Sequence, residues 1–134
     1  MFFNSTGILK YSDNPYKLVV EVDEETSRYY RSLIPKYYCV APQKYSAHIS
    51  VVRKENPINI QNWNKYQGKL IQFSYENIIY NDDVYFWLNV FSQELEDIRV
   101  ELGLESTSIL TKSPDGKHKF HSTIGNIKHL SGNF

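Results

Sequence analysis

The sequence predicts an α+β fold, with helices flanking a mostly antiparallel sheet, and three observations carry that prediction. Segments of strand character outnumber helical ones. Each of the two helical segments follows a strand and carries its own start signal. The order is strand–helix–strand, then strand–strand–helix–strand, so the second half repeats the first. With 134 residues the chain is long enough for one core and too short for two. It reads as a single domain over 1–134, its halves falling at roughly 1–66 and 67–134.

Residues 1–15 read as a loose leading segment that ends in the turn cluster Asp13-Asn14-Pro15. Tyr16–Val22 (YKLVVEV) is rich in β-branched residues and predicts a strand. Asp23 suits an N-cap, and Glu24 and Glu25 suit the first turn of a helix. That helix should end before Pro35, because the residue before proline is pushed out of the α region. Lys44–Arg53 (KYSAHISVVR) reads as a strand and the asparagine-rich 55–66 as a connector. Strands follow over 69–80 and 84–91, with Asn81-Asp82-Asp83 as the turn between them. Ser92 stands where an N-cap belongs, Leu95, Ile98 and Leu102 give helical spacing, and Gly103 suits the C-terminus. Lys119–Ile127 (KFHSTIGNI) closes the series as a strand.

Composition narrows the function classes. Fifteen basic residues balance fifteen acidic ones. A protein that tracks long duplex nucleic acid needs a basic excess to displace counterions, so that class of partner is not expected. A small nucleotide or short oligonucleotide is compatible, because a few donors suffice for one or two phosphates. No apolar run approaches the ~20 residues of a membrane span, so no membrane partner is expected. Residues 1–7 carry neither a basic region nor a long apolar core, unlike a signal peptide. The single cysteine, Cys39, excludes an intramolecular disulfide. These features read as a soluble cytoplasmic domain.

Two tripeptides carry the chemistry: His48-Ile49-Ser50 and His121-Ser122-Thr123. On a strand, residues i and i+2 share a face. Each histidine therefore shares a face with a hydroxyl, His48 with Ser50 and His121 with Thr123. Two such strands side by side offer two imidazoles and two hydroxyls to one cleft. Imidazole titrates near neutrality, so one ring can accept a proton while the other donates. The hydroxyls can donate to non-bridging phosphate oxygens. That set suits metal-independent phosphodiester cleavage. No metal-ligand spacing, glycine-rich phosphate loop or nucleophile elbow is present, and no cofactor is expected. A third match to the spacing, His129-Leu130-Ser131, lacks the apolar residue that follows the other two, Val51 and Ile124.

With those residues the chain resembles the 2H phosphoesterase superfamily, named for two H-x-[S/T]-apolar motifs. Here they stand as His48-Ile49-Ser50-Val51 and His121-Ser122-Thr123-Ile124. The resemblance implies a LigT-like bilobal fold, with two pseudo-symmetric lobes around a central cleft. It also implies a hydrolase working through the two histidines. Substrates of the family include 2′,3′-cyclic phosphates, RNA 3′ ends, 2′–5′ linkages and cyclic oligonucleotides. The short chain is closer in size to compact viral and phage members, such as anti-CBASS and 2′–5′ oligoadenylate phosphodiesterases, which degrade host second messengers. Gly125 and Asn126 depart from the longer apolar run common after the second motif. Two alternatives stand beside the messenger reading: an RNA-end-processing 2′,3′-cyclic phosphodiesterase, and a nucleotide-binding module without turnover.

Around the motifs, Tyr11, Tyr45 and Trp87 are candidates to stack on a base, with core or strand-surface packing as the alternative for each. Tyr85 belongs to the same class. Strand parity sets Lys44 with His48 and Lys119 with His121, as candidate phosphate contacts, and turns Arg53 to the opposite face. His118 and His129 read as surface histidines.

Overall fold

In the computed structural model, which describes residues 1–131, strand β1 (Phe2–Ser12) is the longest element, and it decides the architecture. Its first part, Phe2 to Ile8, pairs antiparallel with β4 (Leu70–Glu76); its second part, Ile8 to Ser12, pairs with β2 (Lys17–Glu21). One strand thus serves two neighbours. The handover falls at Ile8, beside Gly7, whose missing side chain makes room for the partner strand. A Cβ there would lie 2.4 Å from Val20 Cγ1 and 2.7 Å from the carbonyl oxygen of Glu21.

The remaining strands are β3 (His48–Arg53), β5 (Tyr80–Asn81), β6 (Tyr85–Phe91) and β7 (Phe120–Asn126). The hydrogen-bonded order is β4-β1-β2-β3-β7-β6-β5, and β6 also pairs back onto β4 through Ser74–Phe91 and Tyr75–Val90. Six strands therefore close into an antiparallel barrel, and β5 adds a short ribbon beside β6. The helices are short: α1 (Glu24–Ser32), α2 (Gln93–Glu101) and α3 (Lys128–Ser131). Asp23 and Ser92 cap α1 and α2 by accepting from Glu25 N and Leu95 N, as the sequence predicts.

This overturns the expected α+β bilobal, LigT-like architecture. The protein is mostly β, and no two lobes surround the cleft. The error began at β1, read as a loose segment. A strand shared between β2 and β4 ties the two halves of the chain into one closed sheet. The helices reinforce the tie. Arg31 of α1 donates to the carbonyl of Ile124 in β7 (2.8 Å), and Arg99 of α2 donates to the carbonyl of Val51 in β3 (2.7 Å). Each of these two helices is bonded to the motif strand of the other half. What repeats is a strand–helix–strand unit, not a lobe.

One row of paired residues, Leu9–Val20–Ile49–Ser122–Leu88, crosses five strands and is buried throughout. That row faces the barrel interior. Two apolar clusters fill it. Leu95 and Ile98 of α2 and the C-cap Leu102 close the larger one over Val51, Val52 and Phe120; Tyr30 of α1 closes the smaller one over Phe86, Leu88 and Ile124. Among the described residues no helix is long and apolar enough to cross a membrane.

Candidate functional site

The motif strands β3 and β7 are neighbours in the barrel, joined antiparallel at Ile49–Ser122. Because these two face inward, the residues on either side face outward. One step along the same register sets Thr123 opposite His48 and His121 opposite Ser50. The four side chains form a square on the outer wall, each histidine beside the hydroxyl of the other motif. Directly opposed residues have Cβ atoms about 4.5–5.5 Å apart and diagonal ones about 7–8 Å, so the two imidazoles flank a space between them. All four line a cleft of about 820 Å³. Its walls are the loop before β3, through Pro42 to Tyr45, and the loop before β7, through Ile109 to Pro114.

Both rings are held by backbone carbonyls. His48 Nδ1 lies 2.8 Å from the oxygen of Ser46, and His121 Nδ1 lies 3.3 Å from the oxygen of Thr111. A carbonyl can only accept, so Nδ1 carries the hydrogen in each ring. Nε2 is left in both as the nitrogen for substrate. Burial drives His121 down to about 4, with His48 and Arg53 lowering it further; the Thr111 carbonyl and Asp115 oppose the shift without cancelling it. At neutral pH His121 is therefore an uncharged ring whose Nε2 carries a lone pair.

Each motif strand then doubles a residue. Val19 pairs with Ser50 but Leu18 pairs with Val52, so Val51 is extra. Trp87 pairs with Thr123 but Phe86 pairs with Gly125, so Ile124 is extra. These are β-bulges, placed identically after each H-x-[S/T]. A bulge leaves a carbonyl outside the ladder, and the ones at Val51 and Ile124 are those that Arg99 and Arg31 satisfy. Beyond the bulge the alternation restarts on the other parity. Arg53 and Asn126 therefore return to the face of the histidines and line the cleft, with their cross-strand partners Lys17 and Tyr85.

The expected phosphate and base contacts divide. Lys44 and Tyr45 line the cleft, from a loop and not from a strand. The Tyr45 ring has Lys17 Nζ at 5.7 Å and Lys44 Nζ at 5.8 Å from its centroid. Tyr11 does not belong to the site. It is buried inside the barrel with its ring edge-on to Trp63 at 4.9 Å. Trp87 shares a face with Thr123, but β5 covers it. Tyr80 stacks on it at 6.4 Å, its Nε1 donates to Asn89 Oδ1 at 3.0 Å, and it is 1% exposed. Lys119 precedes β7 and turns to Glu96 of α2, away from the cleft. Arg53 was expected on the opposite face, and the bulge at Val51 reverses that.

The charge of the cleft is uneven even though the chain is balanced. Its lining holds Lys17, Lys44, Arg53, Lys112 and Lys128 against the single carboxylate of Asp82. Among the described residues, no group of three or more His, Cys, Asp or Glu side chains is placed to hold a metal ion. Comparison with protein-family models, with curated proteins and with solved structures finds no match to this chain.

Proposed function

We propose that the cleft hydrolyses a phosphodiester of a small nucleotide or short oligonucleotide, by the acid–base chemistry of a 2H-type phosphodiesterase. The observation that carries this reading is the square of His48, Thr123, Ser50 and His121 at the floor of a cationic cleft. His121 enters as a neutral ring, which suits it to the base. Its Nε2 takes the proton of the attacking water or ribose hydroxyl as that oxygen bonds to phosphorus. The bond to the leaving oxygen breaks, and His48 supplies the leaving oxygen with a proton from Nε2. Ser50 and Thr123 donate to the non-bridging oxygens, where negative charge grows.

The cationic lining supports an anionic substrate, and the net charge of zero argues against long duplex. Within this reading a cyclic or 2′–5′-linked oligonucleotide messenger is the favoured substrate. The test is hydrolysis, with EDTA present, of a 2′,3′-cyclic nucleotide, a 2′–5′ oligoadenylate and cyclic di- and trinucleotides. Turnover of a member by the wild type, reduced about 10²–10⁴-fold in His48→Ala and in His121→Ala, is the expected result. Wild-type protein that turns over no member overturns the catalytic reading. Turnover confined to the 2′,3′-cyclic nucleotide overturns the messenger assignment.

A further inference from the structure

The bulges give the site a quasi-twofold plan. His48, Ser50, Arg53 and Lys17 on one side correspond to His121, Thr123, Asn126 and Tyr85 on the other, and all eight line the cleft. The axis passes between Ile49 and Ser122. Because the strands are antiparallel, Arg53 and Lys17 lie beyond Ser50, at the His121 end. Asn126 and Tyr85 lie beyond Thr123, at the His48 end.

The chemistry of the plan is not symmetric. At the His121 end are the guanidinium of Arg53 and the ammonium of Lys17, paired across β2 and β3. Lys112 joins them, next to Thr111, whose carbonyl holds His121. No carboxylate lines that end. Neither Arg53, Lys17 nor Lys112 forms an ion pair with a described residue, whereas Lys10, Lys65, Lys69 and Lys119 each do. At the His48 end the corresponding residues are an amide and a phenol. Asn126 is engaged with Gln43 and with the backbone of Ala41, and Lys128 lies 4.9 Å over the Tyr85 ring. Asp82 lines that end too.

We propose that Arg53 and Lys17 form a second phosphate site at the His121 end, so the substrate carries at least two phosphates and lies in one polarity. One phosphate occupies the histidine–hydroxyl square. The next falls against Arg53 and Lys17, the nucleoside that joins the two phosphates spans the step between them, and the nucleoside on the other side of the first phosphate lies toward Tyr85 and Asn126. The step from Ser50 to Arg53 is a two-residue pleat, about 7 Å along the strand, with the bulge absorbed. That step is comparable with the separation of consecutive phosphates in an extended nucleotide chain. A fork of guanidinium donors beside an ammonium is suited to a phosphate dianion or diester oxygen pair.

This inference rests on the nucleotide reading of the cleft, but its test does not require turnover. Calorimetric titration would compare adenosine 3′-monophosphate with adenosine 3′,5′-bisphosphate, neither of which is a diester. The wild type should bind the bisphosphate about 10–100-fold more tightly, the span expected for charge-assisted hydrogen bonds. Arg53→Gln and Lys17→Gln should each reduce that ratio, and the double variant should bring it near one. Equal affinity of the wild type for both ligands would overturn the proposal. So would a ratio that survives the double variant, or one that Asn126→Ala abolishes while Arg53→Gln does not. A protein that hydrolyses no diester yet keeps the ratio would lose the catalytic reading and retain this site. A protein that hydrolyses diesters with a ratio of one would do the reverse.

Discussion

Arg99 donates through Nη1 to the carbonyl of Val51, the residue that β3 holds in excess of β2. The same guanidinium meets Glu55 with two hydrogen bonds of 2.9 and 2.8 Å, and its Nε donates to the carbonyl of Glu105. Arg99 is 1% exposed, so nothing in solvent replaces these partners. Arg99→Leu leaves the Glu55 carboxylate without its counter-ion and two carbonyls unpaired, and should cost about 3–5 kcal/mol in denaturant unfolding. Arg99→Leu with Glu55→Leu should cost less than the single change, because the stranded carboxylate is gone. A single-variant loss below about 1 kcal/mol would show that the pair does not hold the bulge.

His121 makes stability depend on pH. Its folded value lies near 4, below the ordinary imidazole value, so the unfolded chain binds more protons between those two values. Stability from this group is full above about 6.5 and is lost as pH falls toward 4, up to about 3 kcal/mol. Urea unfolding at pH 7, 6, 5 and 4 should show a fall that His121→Gln removes. The same acid slope in His121→Gln would assign the loss to other groups.

The motif residues were legible because their chemistry is local: a histidine, a spacer and a hydroxyl on one strand face. Helices α1 and α2 were legible for the same reason, through Asp23, Ser92 and Gly103. Barrel closure was not. In β1 only Gly7 to Ser12 alternate buried and exposed, while Phe2, Phe3 and Asn4 are exposed, with the Phe2 and Phe3 rings lying against Phe91 and Tyr75 on the surface. Arg53 was missed because parity was carried through a bulge. The available signal was broken alternation, in the successive Val51-Val52 and Ile124-Gly125 after each hydroxyl. Trp87 reads from sequence either as a base-stacking or as a core residue, because nothing local shows that Tyr80 of β5 lies across it.

Gly125 holds one wall of the cleft in place. A Cβ there would stand 2.5 Å from Val40 Cγ1 and 2.9 Å from the carbonyl oxygen of Ala41. Ala41 and Asn126 exchange two backbone hydrogen bonds of 2.9 and 3.0 Å at this point. Gly125→Ala should push the Val40–Ala41 segment off β7, at a cost of about 1–3 kcal/mol. The expected signs are a Tm lowered by about 3–10 °C and faster amide exchange at Ala41 and Asn126. Unchanged exchange at both amides would mean that the wall does not depend on this close approach.

The crossed placement of histidine and hydroxyl makes the two motifs interdependent. Thr123 lies opposite His48 and Ser50 opposite His121, so each hydroxyl is set beside the ring contributed by the other half of the chain. If both donate to the phosphate as charge develops, Ser50→Ala and Thr123→Val should each lower kcat by about 10–10³-fold. KM should change far less, because the interaction strengthens in the transition state. Neither hydroxyl is needed for the barrel interior, whose row passes through Ile49 and Ser122, so Tm should stay within a few degrees of wild type. The double variant should lose less than the product of the two single losses, since both hydroxyls act on one phosphate. A rise in KM with kcat preserved would make the hydroxyls ground-state binding groups and remove them from the chemical step.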